Sequence, residues 1–469
     1  MAAKPKLNDD QREAFKIIQR FLNSAADTFV LQGYAGTGKT FLMQYLGKWL
    51  NEQELPFTLL ASTGRAATVL RGKTGFIAKT VHSELYSFSK VDGIDDEIPI
   101  DAPIDRYAQM TLQFLLRAPD AERKLYIVDE ASMLSSEPGD AMSVVSFGSG
   151  RLMIDLFDAL GNNKIIFVGD PCQLPPVSQA FSPALDLNWL AGEGRTAITV
   201  TLNKIERTDA DNDILVLASH VRALSQQSAW PTFPKLPARM MNNVKLYPSD
   251  KALFQSYLDK YKEVGHNLTL AIARTNETVG HINRALRRDL FGEIDLPLQE
   301  SDVLLVVQNN YGVPLTNGDF AVVTSIGEAR HQANLHFLSI RLKALASEQD
   351  FEILLSLDIL YSKNANFSKE QQKVLMVDFN RRMQHKDIKA NSDAYKKEMM
   401  SDPYLNCLRA KYGYAVTCHK AQGGEWDYVY LFLDRKMYGM RKPEIFRWWY
   451  TAITRTRRQL NLVDEWWIS

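Results

Sequence analysis

Residues 33–40 read Gly-Tyr-Ala-Gly-Thr-Gly-Lys-Thr and follow the apolar run Phe-Val-Leu-Gln at 29–32. No other stretch restricts the fold as tightly. A buried strand that runs into spaced glycines and then a lysine must turn sharply and open a helix. The glycines let backbone N–H groups point inward at an anion, and the helix N-terminus adds a favourable dipole. In this pattern Gly33, Gly36, Thr37 and Gly38 form the cradle. Lys39 neutralises the β- and γ-phosphates, and Thr40 offers a hydroxyl to Mg²⁺. The chain is therefore read as a nucleotide-binding α/β protein, with ATP and Mg²⁺ as the expected cofactors.

The surrounding pattern agrees. Short apolar, β-branched runs alternate with helical periodicity across the first two hundred residues, the mark of a parallel sheet with helices on both faces. FVLQG (29–33), FTLLAS (57–62), LYIVDE (125–130), KIIFVGD (164–170) and AITVTL (197–202) read as buried strands. Each ends in polar or glycine-containing sequence, so the carboxyl edge of the sheet gathers the chemistry. LTLAIAR (268–274), YAVTCHKAQ (414–422), YVYLFL (428–433) and QLNLVD (459–464) read as a second set. This divides the chain into a first unit over 1–200 and a second over 201–300 and 411–469. Two stretches break the rhythm. Residues 87–121, around DGIDDEIPIDAP, read as an insertion in the first unit, and 301–410 as a small β unit with a helical arm. The charge run from Ser368 to Met400 reads as a solvated helix face.

Composition narrows the setting. Lys plus Arg and Asp plus Glu both number 55, so any nucleic-acid surface must be a local groove in a chain of zero net charge. Cys172, Cys407 and Cys418 have no metal-ligand spacing and read as buried, reduced thiols. The N-terminal residues lack the apolar core of a signal peptide, and no apolar run approaches bilayer length. A soluble, intracellular protein that engages no membrane is the expectation.

LYIVDE delivers Asp129 and Glu130 to the sheet edge, where one carboxylate can hold Mg²⁺ and the other orient the attacking water. The strand ending Val168-Gly169-Asp170 continues into Pro171-Cys172-Gln173-Leu174-Pro175-Pro176, by itself a rigid turn; a place for Gln173 beside the γ-phosphate comes only with resemblance to a known family.

Taken in order, these motifs resemble superfamily-one helicases of the type-B branch, the RecD-like and Dda-like group, over nearly the whole chain apart from the insertions. The resemblance implies two RecA-like P-loop domains. LNDDQREAF at 7–15 looks like the Q motif, implying that Gln11 reads the adenine edge. LLASTGRAATVL (59–70) resembles a motif that grips the DNA backbone, with Ser62, Thr63 and Arg65 at the contacting positions. The family usually has proline where this chain has Ser62. TVHSELY (80–86) implies further DNA contacts from Thr80 and His82, although a lone histidine is as readily structural. LNKIERT (202–208) and WWYTAITRTRRQ (448–459) resemble the motifs that supply Arg207 and Arg455 to the transferring phosphoryl group, a role suited to the planar guanidinium. AVTCHKAQGGEWD (415–427) implies DNA contacts from Thr417 and His419, coupling through Gln422 and a ribose contact from Glu425. The first insertion sits where these proteins carry a strand-separating pin, with Phe88 or Phe114 as the capping ring, and the second where they carry an SH3-like barrel. Trp426, Trp448 and Trp449 are read as core residues, with base stacking as the alternative.

The resemblance implies an ATP-dependent helicase moving 5′ to 3′ along single-stranded DNA and opening tailed duplex, one copy sufficing. Single-strand-binding or replication and repair proteins are conceivable further partners. A nucleotide-switched clamp, an RNA helicase and a translocase that does not unwind stay open, because no motif bears on the 2′-OH.

Overall fold

The computed structural model describes residues 6–93, 111–119, 122–139, 145–206, 212–239, 241–293, 296–310 and 313–469. The strand ahead of the glycine-rich loop, Thr28–Gly33, lies in a six-stranded parallel sheet. Across the sheet the order is Ala78–Thr80, Phe57–Ala61, Leu125–Asp129, Lys164–Gly169, Thr28–Gly33, Ala197–Leu202. The strands are apolar throughout because both faces are covered. Phe29, Leu31, Ile127, Ile166 and Val168 face one helical layer with Ile18, Leu42 and Leu46. Val30, Val128, Ile165 and Phe167 face the other, with Met153, Leu156 and Leu185. Each such side chain contributes about 1.5–3 kcal/mol when fully buried. This two-sided core fixes the strand from which the loop springs.

The second parallel sheet runs Val244–Tyr247, Thr456–Val463, Trp426–Phe432, Thr269–Ala273, Ala415–Thr417. Every residue of Thr269–Ala273 is buried. Trp426, Trp448 and Trp449 belong to this core and are at most 2% exposed, which leaves no ring face for a base.

Between Val303 and Tyr412 the chain forms a five-stranded antiparallel sheet, ordered Asp350–Ser356, Leu335–Ala344, Phe320–Gln332, Val303–Val306, Ala410–Tyr412. Its outer strands meet. Leu355 bridges to Leu408, and the Leu408 N–H donates to the Leu354 carbonyl at 2.7 Å. The sheet thereby curls around Leu304, Val306, Ile340 and Leu342.

Two helices, Lys369–His385 and Asp393–Ser401, make up the charged arm. Lys369, Glu370, Asp393 and Lys397 are exposed and Arg382 pairs with buried Asp402, but Met376, Phe379, Met383, Tyr395 and Met399 form a buried stripe that packs on Val91, with Phe88 and Leu112 alongside. The solvated face is thus half of the arm, and the other half docks on the first insertion. That insertion is a hairpin in which Tyr86–Asp92 pairs with Thr111–Leu116 and Phe88 lies opposite Phe114. A third strand, Val145–Phe147, extends this sheet from beyond residue 121. Most of DGIDDEIPIDAP lies outside the described residues. Asn391 clasps the Val91 backbone, accepting its N–H at 2.7 Å and donating to its carbonyl at 3.0 Å. Phe88 and Phe114 meet edge to face at 5.5 Å, and Phe114 lies tilted against Phe147 at 4.9 Å. The three cysteines are buried and free. Among the described residues no helix is long and apolar enough to cross a membrane.

Candidate functional site

The glycine-rich loop and the second unit enclose one cleft of about 410 Å³. Gly36, Gly38, Lys39, Thr40, Asp129, Glu130 and Gln173 line it from the first unit; Gly423, Glu425, Thr454 and Arg455 line it from the second. That volume suits a small-molecule ligand.

The loop owes its shape to its glycines. Gly36 and Gly38 sit at φ +80° and +77°, a region that side chains rarely adopt. A Cβ on Gly33 would lie 2.8 Å from the Thr37 hydroxyl and 2.9 Å from the Lys39 side chain. Helix Lys39–Glu52 starts without a side-chain cap, so its first N–H groups are open to an anion. The Lys39 ammonium donates to the carbonyls of Gly33 at 2.6 Å and Tyr34 at 3.2 Å. Gln11 lies beneath the loop. It donates to the Thr37 carbonyl at 3.1 Å, and its own oxygen accepts the Asn8 N–H in the capping box of helix Asp9–Leu22. Glu206 closes the rim, its N–H donating to the Gly36 carbonyl at 2.8 Å and its carboxylate accepting from Asn8 at 2.7 Å. Arg207, the next residue, lies outside the described residues.

Asp129 ends its strand, and Glu130 adopts a left-handed backbone at φ +51°. Such a conformation in a non-glycine residue is strained by about 1–3 kcal/mol and marks functional turns. Burial, then the neighbouring Glu130 carboxylate, pushes the Asp129 pKa up. Burial also raises Asp170, against the pull of Lys39. Asp129 and Glu130 line the cleft together with Thr40, whereas Asp170 lies buried behind it.

Two glutamines meet at the seam of the units. Gln173 and Gln422 are 4% and 3% exposed, and the side-chain oxygen of each is buried without a hydrogen-bond partner among the described residues. The Gln422 amide donates to the Leu174 carbonyl at 3.4 Å. Arg455, 5% exposed, is held by the Thr451 carbonyl at 3.0 Å, the Gly424 carbonyl at 3.2 Å and the Thr454 hydroxyl at 3.1 Å.

The positions paired with DNA by resemblance fall at strand ends. Thr63, Thr80 and Thr417 are each the N-cap of a following helix, at the carboxyl ends of Phe57–Ala61, Ala78–Thr80 and Ala415–Thr417. The hydroxyls of Thr63 and Thr80 accept cap N–H groups, whereas Thr417 makes no side-chain cap bond. His82 packs against Tyr86 and Phe147 with ring centroids 5.8 and 5.7 Å away, and burial lowers its pKa as it does that of His419. The Ser62 hydroxyl is buried without a partner among the described residues. Arg65 is placed differently. Its guanidinium lies over Phe320 at 4.7 Å and Trp426 at 4.5 Å, and burial brings its pKa down to about 10. In this arrangement it joins the first unit to the β insertion and the second unit.

Sequence reading passed over Glu206, Phe320, Tyr450 and Thr451. Only Tyr450 carried a usable signal, since a tyrosine in an apolar helix must find a partner for its hydroxyl.

Known proteins carry the same parts. Residues 6–229 match the family described as an AAA domain, and residues 412–463 match the UvrD-like helicase C-terminal domain. Matched in this order, the two families make the chain similar to superfamily-one helicases of the Pif1/RecD type. An uncharacterized protein of Acanthamoeba polyphaga mimivirus is 22% identical over 97% of this chain and 99% of its own length. ATP-dependent DNA helicase Pif1 of Bdellovibrio bacteriovorus is 31% identical over 46% of this chain, and ATP-dependent RecD2 DNA helicase of Deinococcus radiodurans 25% over 91%. The chain spans less than half the length of these two relatives, 43% and 46%. A solved structure of Pif1 helicases, described as unwinding forked double-stranded DNA, superposes with a TM-score of 0.51 at 16% identity, covering 99% of this chain and 94% of that one. This likeness carries the fold. The two parallel units are RecA-like.

Proposed function

We propose that this chain is an ATP-driven motor that tracks 5′ to 3′ along single-stranded DNA and unwinds duplex. One observation carries the reading: Lys39 and Glu130 of one RecA-like unit and Arg455 and Glu425 of the other line a single cleft, so hydrolysis and closure of the units are one event. Thr40 and Asp129 would hold Mg²⁺, which supplies positive charge against the phosphate oxygens. Lys39 leaves the loop carbonyls to meet the β- and γ-phosphates, Glu130 orients the attacking water, and Gln173 presents its unpaired oxygen to the reacting centre. Arg455, with Arg207, stabilises the charge that develops on the transferring group. Thr63 and Thr80 on one unit and Thr417 and His419 on the other provide two grips on the strand. Each turnover moves one grip relative to the other.

The experiment is a strand-displacement assay on tailed duplexes of both polarities and both sugars, run beside ATPase measurements. We expect DNA to stimulate hydrolysis and 5′-tailed DNA to be unwound. Lys39→Ala should abolish both activities, and Glu130→Gln should cut turnover by about a hundredfold or more while nucleotide still binds. ATPase indifferent to DNA would refute the motor and favour a nucleotide-switched clamp. Unwinding only from 3′ tails would refute the polarity.

A further inference from the structure

Tyr450 is buried on helix Glu444–Ile453 of the second unit, the helix that leads directly into Arg455. Its hydroxyl reaches across the cleft to the first unit. There it accepts the N–H of Ala35, inside the glycine-rich loop, at 2.9 Å, and donates to the Asp170 carboxylate at 2.6 Å. Asp170 is 1% exposed, and its other oxygen accepts the Cys172 N–H at 3.0 Å, at the head of the segment that carries Gln173. The next helix residue repeats the link, the Thr451 hydroxyl accepting the Leu174 N–H at 2.9 Å. One phenol therefore ties together the phosphate loop, the Gln173 segment and the helix that supplies Arg455. A side chain placed only to fill the core would need no hydroxyl here, and phenylalanine would serve.

We infer that Tyr450 is a positioning residue: through Ala35 and Asp170 it sets the register of the Arg455 helix on the phosphate loop, so that the arginine is in place when the loop is occupied. Filling the loop and aligning the arginine then become a single step. The inference rests on the ATP-driven reading above. It adds a residue that touches neither phosphate nor DNA.

The test compares wild type, Tyr450→Phe, Asp170→Asn and the double variant, each checked for wild-type circular dichroism. Two quantities are read: affinity for a fluorescent ADP analogue and kcat for ATP hydrolysis with and without single-stranded DNA. A hydrogen bond to a charged group corresponds to roughly a tenfold effect. Tyr450→Phe should accordingly lower kcat by about tenfold while ADP affinity holds within about twofold, and Asp170→Asn should match it. The double variant should fall no further, because both changes break one link. Wild-type kcat in Tyr450→Phe overturns the inference. So does an equal loss of affinity and turnover that multiplies in the double variant, since that is the mark of a structural contact. Wild-type hydrolysis that DNA does not stimulate refutes the motor reading alone, because the ratio of variant to wild-type kcat still decides the role of Tyr450.

Discussion

Arg65→Ala separates two roles for one arginine. The resemblance places Arg65 on a DNA phosphate; the structure places its guanidinium between Phe320 and Trp426, at 4.7 and 4.5 Å, with Gly318 offering a carbonyl at 3.5 Å. A cation over a ring contributes about 0.5–1 kcal/mol when exposed and about 2 kcal/mol when desolvated. Burial opposes the charge here, as the pKa of about 10 shows, so we take a net value of roughly 2 kcal/mol for the pair of rings. Losing it should shift the balance between closed and open cleft by about thirtyfold. Fluorophores on Ile77 of the first unit and Glu263 of the second, both exposed, would report the distance by energy transfer, and the buried native cysteines should not compete for the label. We expect nucleotide-free Arg65→Ala to open by that factor. Arg65→Lys should recover little, because a compact ammonium lacks the broad guanidinium that reaches both rings at once. DNA affinity without nucleotide should stay within about twofold, since no counterion-releasing contact is lost. A steep, salt-dependent loss of DNA affinity with unchanged energy transfer would refute the clamp.

His266 is buried with neither ring nitrogen bonded among the described residues, and burial, then Arg65, holds its pKa down at about 3. The unfolded chain takes up that proton near pH 6.5, so stability from this site is complete above pH 6.5. It drains away as pH falls towards the folded value, by up to about 1.4 kcal/mol per pH unit. Urea midpoints measured from pH 7 to pH 4 should show this slope, and His266→Phe should flatten it; an unchanged slope in the variant would refute the assignment. Asp302 accepts from Arg287 at 2.8 and 2.9 Å and from the Tyr414 hydroxyl at 2.8 Å, and the two charged side chains are 0% and 7% exposed. Asp302→Ala should destabilise the chain by about 3–5 kcal/mol in a urea titration by stranding Arg287; a change below about 1 kcal/mol would mean that water reaches the guanidinium. Asn391→Ala removes both bonds to Val91, each contributing about 1 kcal/mol. It should reduce base pairs opened per ATP in the strand-displacement assay while leaving DNA-stimulated ATPase intact, and equal losses in both would refute a role confined to the hairpin.

What could be read from the sequence depended on how local its cause is. The loop at 33–40 needs only its own glycines and the strand before it, so eight consecutive residues specify both conformation and ligand. The long apolar strands were legible for the same reason. Ala78–Thr80 and Val145–Phe147 were not, because three residues carry no periodicity and owe their strand state to the neighbours they join. The stripe Met376, Phe379, Met383 was present at helical spacing but diluted by the charges around it. The packing of Arg65 was hidden for a deeper reason. Its motif identifies the residue, but its rings come from a β strand and a second-unit strand far along the chain, and nothing near residue 65 announces them.

The contacts between the units place a mechanical constraint on the inserted hairpin. Its base is anchored in the first unit, where the Tyr86 hydroxyl donates to buried Asp155 at 2.6 Å. Its flank is clasped by Asn391, which belongs to the arm inserted in the second unit. Paired hydrogen bonds to one residue's backbone do not tolerate sliding, since they weaken steeply with angle and distance. Opening the cleft must release Ala35 from Tyr450 and Arg65 from its rings, and it either pivots about Val91 or breaks that clasp. If it pivots, Phe88 keeps its place against the arm while the sheet beneath it turns. Each nucleotide cycle would then bear on the hairpin directly, with Asp155 and Asn391 as its two points of attachment.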